Sequence, residues 1–253
     1  MVGPDTLLRT GVIPSELSLT HNIRRLQVSH HLHLGFLPEL KELILDYVPS
    51  FGAEFGQLAP NLETMTIQYG QGRARTQCVL PCLRELVLYG PEYYIASGVE
   101  APDLGVLRLE TLEAQRPSSL RTFQEALDDP SYHLSPSRIH INCSFHAMII
   151  LQLLQLSPNL EHLAISIYSQ NDRWEALFDE LMRRRESPQD AGHLGWQLCE
   201  RLIVVHISFK RPSLRVERAQ KCGMNLLENR PIMHQISFDW SDGLSIVIKG
   251  KEQ

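Results

Sequence analysis

The sequence predicts an α/β solenoid, in which stacked repeats form a parallel β-sheet on a concave face and irregular segments or helices on a convex face. Three observations predict it. A short apolar phrase returns at nearly constant spacing, segments with helical periodicity lie between some of the copies, and 253 residues are enough for eight or nine copies. A single copy is too short to close a core of its own, so neighbouring copies must stack.

The returning phrase is a proline, a variable residue, an apolar residue, two mostly polar residues, an apolar residue, a variable residue and a last apolar residue. In the first four clear copies the first apolar residue recurs at spacings of 22, 21 and 21, at Leu40, Leu62, Leu83 and Leu104. The five clear copies are PELKELIL from Pro38, PNLETMTI from Pro60, PCLRELVL from Pro81, PDLGVLRL from Pro102 and PNLEHLAI from Pro158.

This phrase has the LxxLxL pattern that is typical of leucine-rich repeats. Its last two apolar residues lie two apart on a short strand and point inward, while the residues beside them point outward. The first apolar residue anchors the turn into the strand. We therefore expect four equivalent inward residues to align on adjacent parallel strands: Leu43, Met65, Leu86 and Leu107.

Weaker copies extend the series in both directions, at residues 23–28, 139–141, 202–207 and 233–238. Leu160 and Leu202 are 42 residues apart, which is two periods. This distance indicates either a divergent repeat or an insertion between them.

Helices are predicted mainly in the second half of the chain. Residues 119–127 and 216–228 have helical periodicity, the latter weakened by Gly223. Residues 144–156 are apolar nearly all round, which predicts a buried helix. A further helix is predicted to follow an Asp172–Glu175 capping pair and to end near Arg185. Its apolar face consists of Trp174, Leu177, Phe178 and Leu181.

The repeat frame divides the chain into three parts. Residues 1–22 are predicted to be an N-terminal extension or cap, residues 23–240 the leucine-rich-repeat domain, and residues 241–253 a C-terminal cap strand and tail.

Composition narrows the partners and the compartment. A net charge of −5 argues against nucleic acid as a partner. The longest apolar runs are far shorter than a membrane-spanning helix, and the N-terminus does not have the pattern of a secretory signal. Five cysteines, an odd number, fit a reducing compartment. We expect no membrane association and a cytoplasmic or nuclear location.

On these motifs the chain resembles the leucine-rich-repeat regions of F-box proteins from basidiomycete (mushroom-forming) fungi. LAPNLETMTI at residues 58–67 and LSPNLEHLAI at residues 156–165 carry the resemblance. It implies the substrate-recognition region of a ubiquitin-ligase receptor, because in that family the repeats hold the substrate while an N-terminal F-box docks on a cullin-ligase adaptor. The residues before Ile23 are too few for an F-box, so an adaptor is expected only if an F-box lies upstream. The alternative is a stand-alone interaction or structural repeat protein.

The outward strand residues are predicted to form a concave surface that binds a protein or peptide. They mix both signs of charge with a tyrosine and aliphatic side chains, which suits a protein better than a polyanion. A solvated sheet with no ligand is the alternative. The residues predicted to bind are Arg25, Glu42, Asp46, Glu85, Tyr89, Arg108, Glu110, Arg138, His140 and His162.

No pattern predicts catalytic residues, a cofactor or a metal site. In Ser29–His33 at most His31 and His33 share a face of an extended segment, and no further ligand pattern completes a metal site. Cys78 and Cys82 are four apart, without a second pair. Nucleophile-elbow, phosphate-loop and dinucleotide motifs are not found in the sequence. We expect a protein that is not an enzyme.

Overall fold

The computed structural model describes residues 8–10, 23–28, 36–46, 55–68, 78–90, 96, 98–110, 123–129, 132–143, 147–168, 174–183, 198–210 and 216–250. The chain divides into two compact units, Met1–Leu134 and Ser135–Gln253. Both belong to the mixed α/β class, and each contains a mostly parallel sheet and few helices.

The first unit is built on short parallel strands. Its strands are β1 (Leu8–Thr10), β2 (Arg25–Val28), β3 (Glu42–Leu45), β4 (Thr64–Ile67), β5 (Cys78–Val79), β6 (Glu85–Tyr89), β7 (Val99–Glu100) and β8 (Val106–Glu110). The main sheet has the order β1-β2-β3-β4-β6-β8, with every pair parallel. The short strands β5 and β7 pair with each other, and the one-turn helix α1 (Phe55–Leu58) precedes β5.

The register of the first unit confirms the predicted alignment. Leu43 pairs with Met65, Met65 with Leu86, and Leu86 with Leu107. All four side chains are fully buried, as is Leu26 on β2 to within 1%. The inward residues therefore form a continuous apolar row across the parallel strands.

In each clear copy of the phrase, the strand is preceded by the same four-residue turn, here named the leading turn. It ends at the first apolar residue of the phrase, whose N–H donates to the carbonyl three residues earlier, as in Leu40 to Leu37 at 3.2 Å and Leu62 to Ala59 at 3.2 Å. The proline occupies the second position, where its fixed φ suits a type I or type II turn. This explains why a proline opens the phrase.

The second unit contains β9 (Arg138–Asn142), β10 (His162–Ile167), β11 (Val204–Phe209), β12 (Gln235–Trp240) and β13 (Ser245–Lys249). The first four are parallel in sequence order. β13 is antiparallel to β12 and follows a tight hairpin in which Gly243 has a φ of 89°. Its helices are α2 (Ala147–Gln155), α3 (Trp174–Met182) and α4 (Val216–Asn229).

The 42-residue gap contains an insertion rather than a divergent repeat, because β10 pairs directly with β11. Helix α3 lies within it and buries the predicted face of Trp174, Leu177, Phe178 and Leu181. Phe178 stacks on Phe238 of β12, with ring centroids 6.2 Å apart. The insertion thus contributes aromatic side chains to the core of the second unit.

Two helix predictions need correction. The helix within 144–156 is buried over most of its apolar residues, including Leu153 and Leu154, but not all round, because Met148 on α2 is 64% exposed. The second correction concerns Gly223, which does not interrupt α4 and has a packing role. A Cβ there would lie 2.9 Å from Phe238 Cε2 and 3.0 Å from Ile248 Cδ1, so the glycine lets the helix approach the sheet closely.

The leading turns of the second unit begin with polar residues, each at most 4% exposed: Ser157, Cys199 and Arg230. The Arg230 guanidinium donates to the carbonyls of Cys199 at 2.6 Å, Leu198 at 3.2 Å and Leu181 at 3.3 Å. Burial lowers the pKa of Arg230 to about 10, which still leaves it charged at neutral pH. The buried Arg230 side chain thus links the end of α3 and the leading turn before β11 by hydrogen bonds to their backbone carbonyls.

Replacing Leu86 or Leu163 with aspartate should unfold the chain, because each side chain is at most 1% exposed and an unpaired buried carboxylate costs several kilocalories per mole. Replacing the neighbouring Glu85 with glutamine should leave folding intact. Circular-dichroism melts would measure both, and the opposite ranking would contradict the register.

Gly56→Ala should destabilise the first unit although alanine favours helices, because its Cβ would lie 1.9 Å from the Val79 carbonyl oxygen. Gly105→Ala is the matched control, since its Cβ would meet the Arg84 carbonyl oxygen at an ordinary 3.5 Å. Urea denaturation should show a lowered midpoint for the first variant alone, and equal midpoints would argue against this close approach.

Arg230→Met should lower the free energy of unfolding by about 1–3 kcal/mol, because buried carbonyl oxygens lose their donor. Arg201→Met, at an exposed position, should change it by no more than about 0.5 kcal/mol. Equal effects in denaturant titrations would show that the buried guanidinium is dispensable.

Candidate protein-binding surface

The outward residues of β2, β3, β4, β6 and β8 form the outward face of the first unit. Because the strands are parallel and in register, equivalent outward residues line up in rows that cross the strands. One row consists of Arg25, Glu42, Thr64, Glu85 and Val106, and the next of Gln27, Ile44, Thr66, Val87 and Arg108. Seven of the ten predicted binding residues belong to this face or to the strand ends beside it.

Four of those predicted charges pair with one another on this face. Arg25 contacts Glu42 through two nitrogen–oxygen pairs, at 2.5 and 3.0 Å. Arg108 Nε donates to Glu85 Oε1 at 2.7 Å. All four side chains remain between 29% and 47% exposed, so these bridges stabilise the fold little and are accessible to a partner.

The third row, at the carboxyl ends of the strands, contains the predicted residues Asp46, Tyr89 and Glu110. Asp46 accepts hydrogen bonds from Gln27 Nε2 at 3.0 and 3.1 Å. Tyr89 is paired with Glu110 in register. Burial and the Glu110 carboxylate raise the pKa of the Tyr89 phenol, while Arg108 opposes them. This row places a protonated phenol among acidic and amide side chains.

The other three predicted residues lie on the outward face of the second unit, formed by β9 to β13. His162 is in register with Arg138, and His140 with Ala164. Burial lowers the pKa of His162, the Arg138 cation lowers it further, and Glu161 opposes them. His162 is therefore neutral at physiological pH.

The structure adds a polar group on β11 to β13 that contains a residue missed by the sequence prediction, His206. His206 Nδ1 lies 2.8 Å from Ser237 Oγ, and Nε2 lies 3.3 Å from Asp239 Oδ2. The Ser245 hydroxyl donates to Asp239 Oδ1 at 2.6 Å. The signal was present, because His206 alternates with the buried Val205 and Ile207.

A shallow polar notch lies beside the leading turns of the first unit. Lys41 Nζ contacts Glu63 Oε1 at 2.6 Å, and this hydrogen bond lowers the pKa of Glu63 although burial opposes it. Asn61 Nδ2 donates to the Pro38 carbonyl at 2.8 Å. The residues lining the notch are Glu39, Lys41, Asn61, Glu63, Cys82, Arg84 and Asp103.

The buried thiols are poorly suited to nucleophilic chemistry. Burial raises the pKa of Cys78 to about 11 and that of Cys199 to about 12. Because the thiolate is the reactive form, both are unreactive at neutral pH. Among the described residues, no group of three or more His, Cys, Asp or Glu side chains is placed to hold a metal ion.

Several sequence interpretations lie outside the described residues. They concern the histidines of Ser29–His33 and the proposed helix cap at Asp172. In the part of the chain that the structure describes, no helix combines the length and apolar composition that crossing a membrane requires.

Comparison with protein-family models, curated proteins and solved structures finds no match in any of the three.

Proposed function

We propose that the protein is a non-catalytic leucine-rich-repeat module that binds another protein or a peptide on the outward faces of its parallel strands. The observation that carries the proposal is the register. Inward positions are apolar and buried, and outward positions carry aligned rows of partly exposed polar and aliphatic side chains.

A solenoid of leucine-rich repeats accounts for these features together. Spacings of 21 or 22 residues, a shared leading turn and parallel pairing of successive strands recur in the first unit. The second unit repeats the turn and the parallel order, with helices between its strands. In such an architecture the strand side is the concave side, and repeat concavities are extended binding surfaces.

A protein or peptide suits the outward faces better than a polyanion. In the first unit the bridges from Arg25 and Arg108 to glutamates neutralise the cations that a phosphate backbone would need. Ile44, partly exposed, lies in the row between the first and third rows, and Tyr89 is the kind of aromatic side chain that anchors protein interfaces. Paired charges around aliphatic and aromatic side chains are typical of a protein-binding surface.

The group of Ser237, His206 and Asp239 contains the residue types of a hydrolytic triad, yet its setting does not favour catalysis. Ser237 is 7% exposed and lies on a strand paired on both sides. The backbone N–H groups of β12 are engaged in the sheet, so they are not available to stabilise an oxyanion beside Ser237. We interpret the group as a polar link between strands.

The connection to a ubiquitin ligase rests on the resemblance to fungal F-box proteins alone. In that role the outward faces would hold the substrate, and an F-box upstream would contact the cullin adaptor. The stand-alone interaction protein uses the same surface without the adaptor, so the two differ in partners and not in the binding face.

Glu110→Lys should abolish recovery of the main partner when the full-length gene product is affinity-purified from its native cell, because it reverses a charge in the Tyr89 row. Glu100→Lys, an equal charge change on β7 away from the outward face, should leave recovery unchanged. Mass spectrometry of both eluates measures the difference, and equal recovery would contradict binding at this face.

The same purification tests the ligase role. Recovery of a cullin adaptor with the wild-type bait supports it. Repeated absence of an adaptor from a folded, full-length bait would leave the stand-alone interaction protein.

A further inference from the structure

Strand β13 is the last strand of the second unit's sheet, and its far edge has no paired strand among the described residues. The hydrogen bonds at its two ends show which of its residues direct their backbone groups toward β12. Leu244 accepts from Trp240 N at 2.9 Å, and Gly250 donates to His234 O at 2.8 Å. Backbone groups alternate in direction along a strand, so Ser245, Val247 and Lys249 direct their N–H and C=O groups away from β12.

This edge has few of the features that usually prevent strand pairing. Proteins protect edges with proline, bulges, inward charges or covering segments. The sequence SIVIK contains neither proline nor glycine, its pairing with β12 is regular over five residues, and its one charge is at the end, at Lys249. Val247, at the centre, is a large apolar side chain that is 52% exposed.

We propose that β13 pairs with β13 of a second copy of this chain, antiparallel and centred on Val247, so that the two sheets join edge to edge. A twofold axis at Val247 sets Val247 against its equivalent and Ser245 against Lys249 of the other copy. These are the residues whose backbone groups point outward, so the three pairs exchange backbone hydrogen bonds while β12 keeps its own.

The side chains are complementary in the same register. Ser245 is in register with Asp239 and donates to its carboxylate at 2.6 Å. Lys249 of one copy therefore lies opposite Ser245 of the other, on the same face as Asp239, and its long side chain extends toward that carboxylate. Opposite charges in such rows favour pairing. The two exposed valines meet at the centre and cover each other.

A second copy fits this edge better than an unrelated strand because the complementarity is internal to the sequence. Lys249 and Ser245, which bonds to Asp239, lie two residues from Val247 on opposite sides. One twofold operation therefore places each lysine opposite the serine of the other copy. The inference does not depend on the proposed binding function, because it is argued from the backbone groups and the register of the β13 edge.

Analytical ultracentrifugation of the full chain should show a dimer with twice the monomer mass that dissociates on dilution. Val247→Pro should weaken the dimer by about tenfold or more, because it removes an outward N–H and places a ring at the axis. Val247→Thr keeps the shape and the N–H and should leave the dimer. A monomeric wild type at every concentration, or an unchanged dimer in Val247→Pro, would overturn the proposal.

Charge exchange and cross-linking test the register without proline. Lys249→Glu should weaken the dimer, and adding Ser245→Lys should restore it, because the two positions are opposite across the axis. Val247→Cys should form an intermolecular disulfide under mild oxidation, since opposed Cα atoms about 5.5 Å apart are within disulfide range. Ser245→Cys should not exceed the wild-type background. The reverse cross-linking order, or no rescue by the double variant, would contradict this register.

Discussion

The hydrogen bond that closes each leading turn fixes where the following strand begins, and the surfaces of the molecule depend on it. Before most of the parallel strands, the carbonyl of the preceding residue accepts two N–H groups of the next segment, as Lys41 O accepts from Glu63 and Thr64 at 2.9 Å each. A slip of one residue would turn every inward leucine to solvent and every outward charge into the core. The outward faces therefore depend on a single strand register, which both the leading turn and the burial of the inward residues require.

The sequence predicts this part of the fold because its signals are local. A proline at the second turn position and a leucine two residues later specify the turn, and a period of two specifies the strand faces. Strands β5 and β7 have two residues each and no pattern of their own. Gly223 reads as a helix breaker until Phe238 is placed against it. Whether the gap before Leu202 held a repeat or an insertion depended on the pairing of β10 with β11, which is a long-range contact.

The site was predictable to the same extent and for the same reason. The outward positions followed from the frame, and His206 could have been found by extending it through Val205 and Ile207. The ion pairs of Arg25 and Arg108 could not, because cross-strand partners depend on which strands are adjacent. The first residue of the leading turn shows a similar limit. Leu37 and Ala59 fill it with apolar groups, whereas Cys199 and Arg230 use it to bond to preceding backbone segments.

Paired charges determine how the outward face of the first unit could bind. A partner that inserts an acidic group must compete with Glu42 or Glu85 for an arginine, and a partner that inserts a basic group must compete with the arginines. Replacing one ion pair by another gives little net affinity, but a partner with the wrong charge pattern is penalised. The paired charges therefore contribute to specificity and to salt dependence. Affinity must then come from partly exposed side chains that have no charged competitor, Tyr89 and Ile44. Because Ile44 lies in the middle row and Tyr89 in the third, a partner gains most by lying across the strands toward their carboxyl ends, with the Arg25–Glu42 bridge at the margin of the contact.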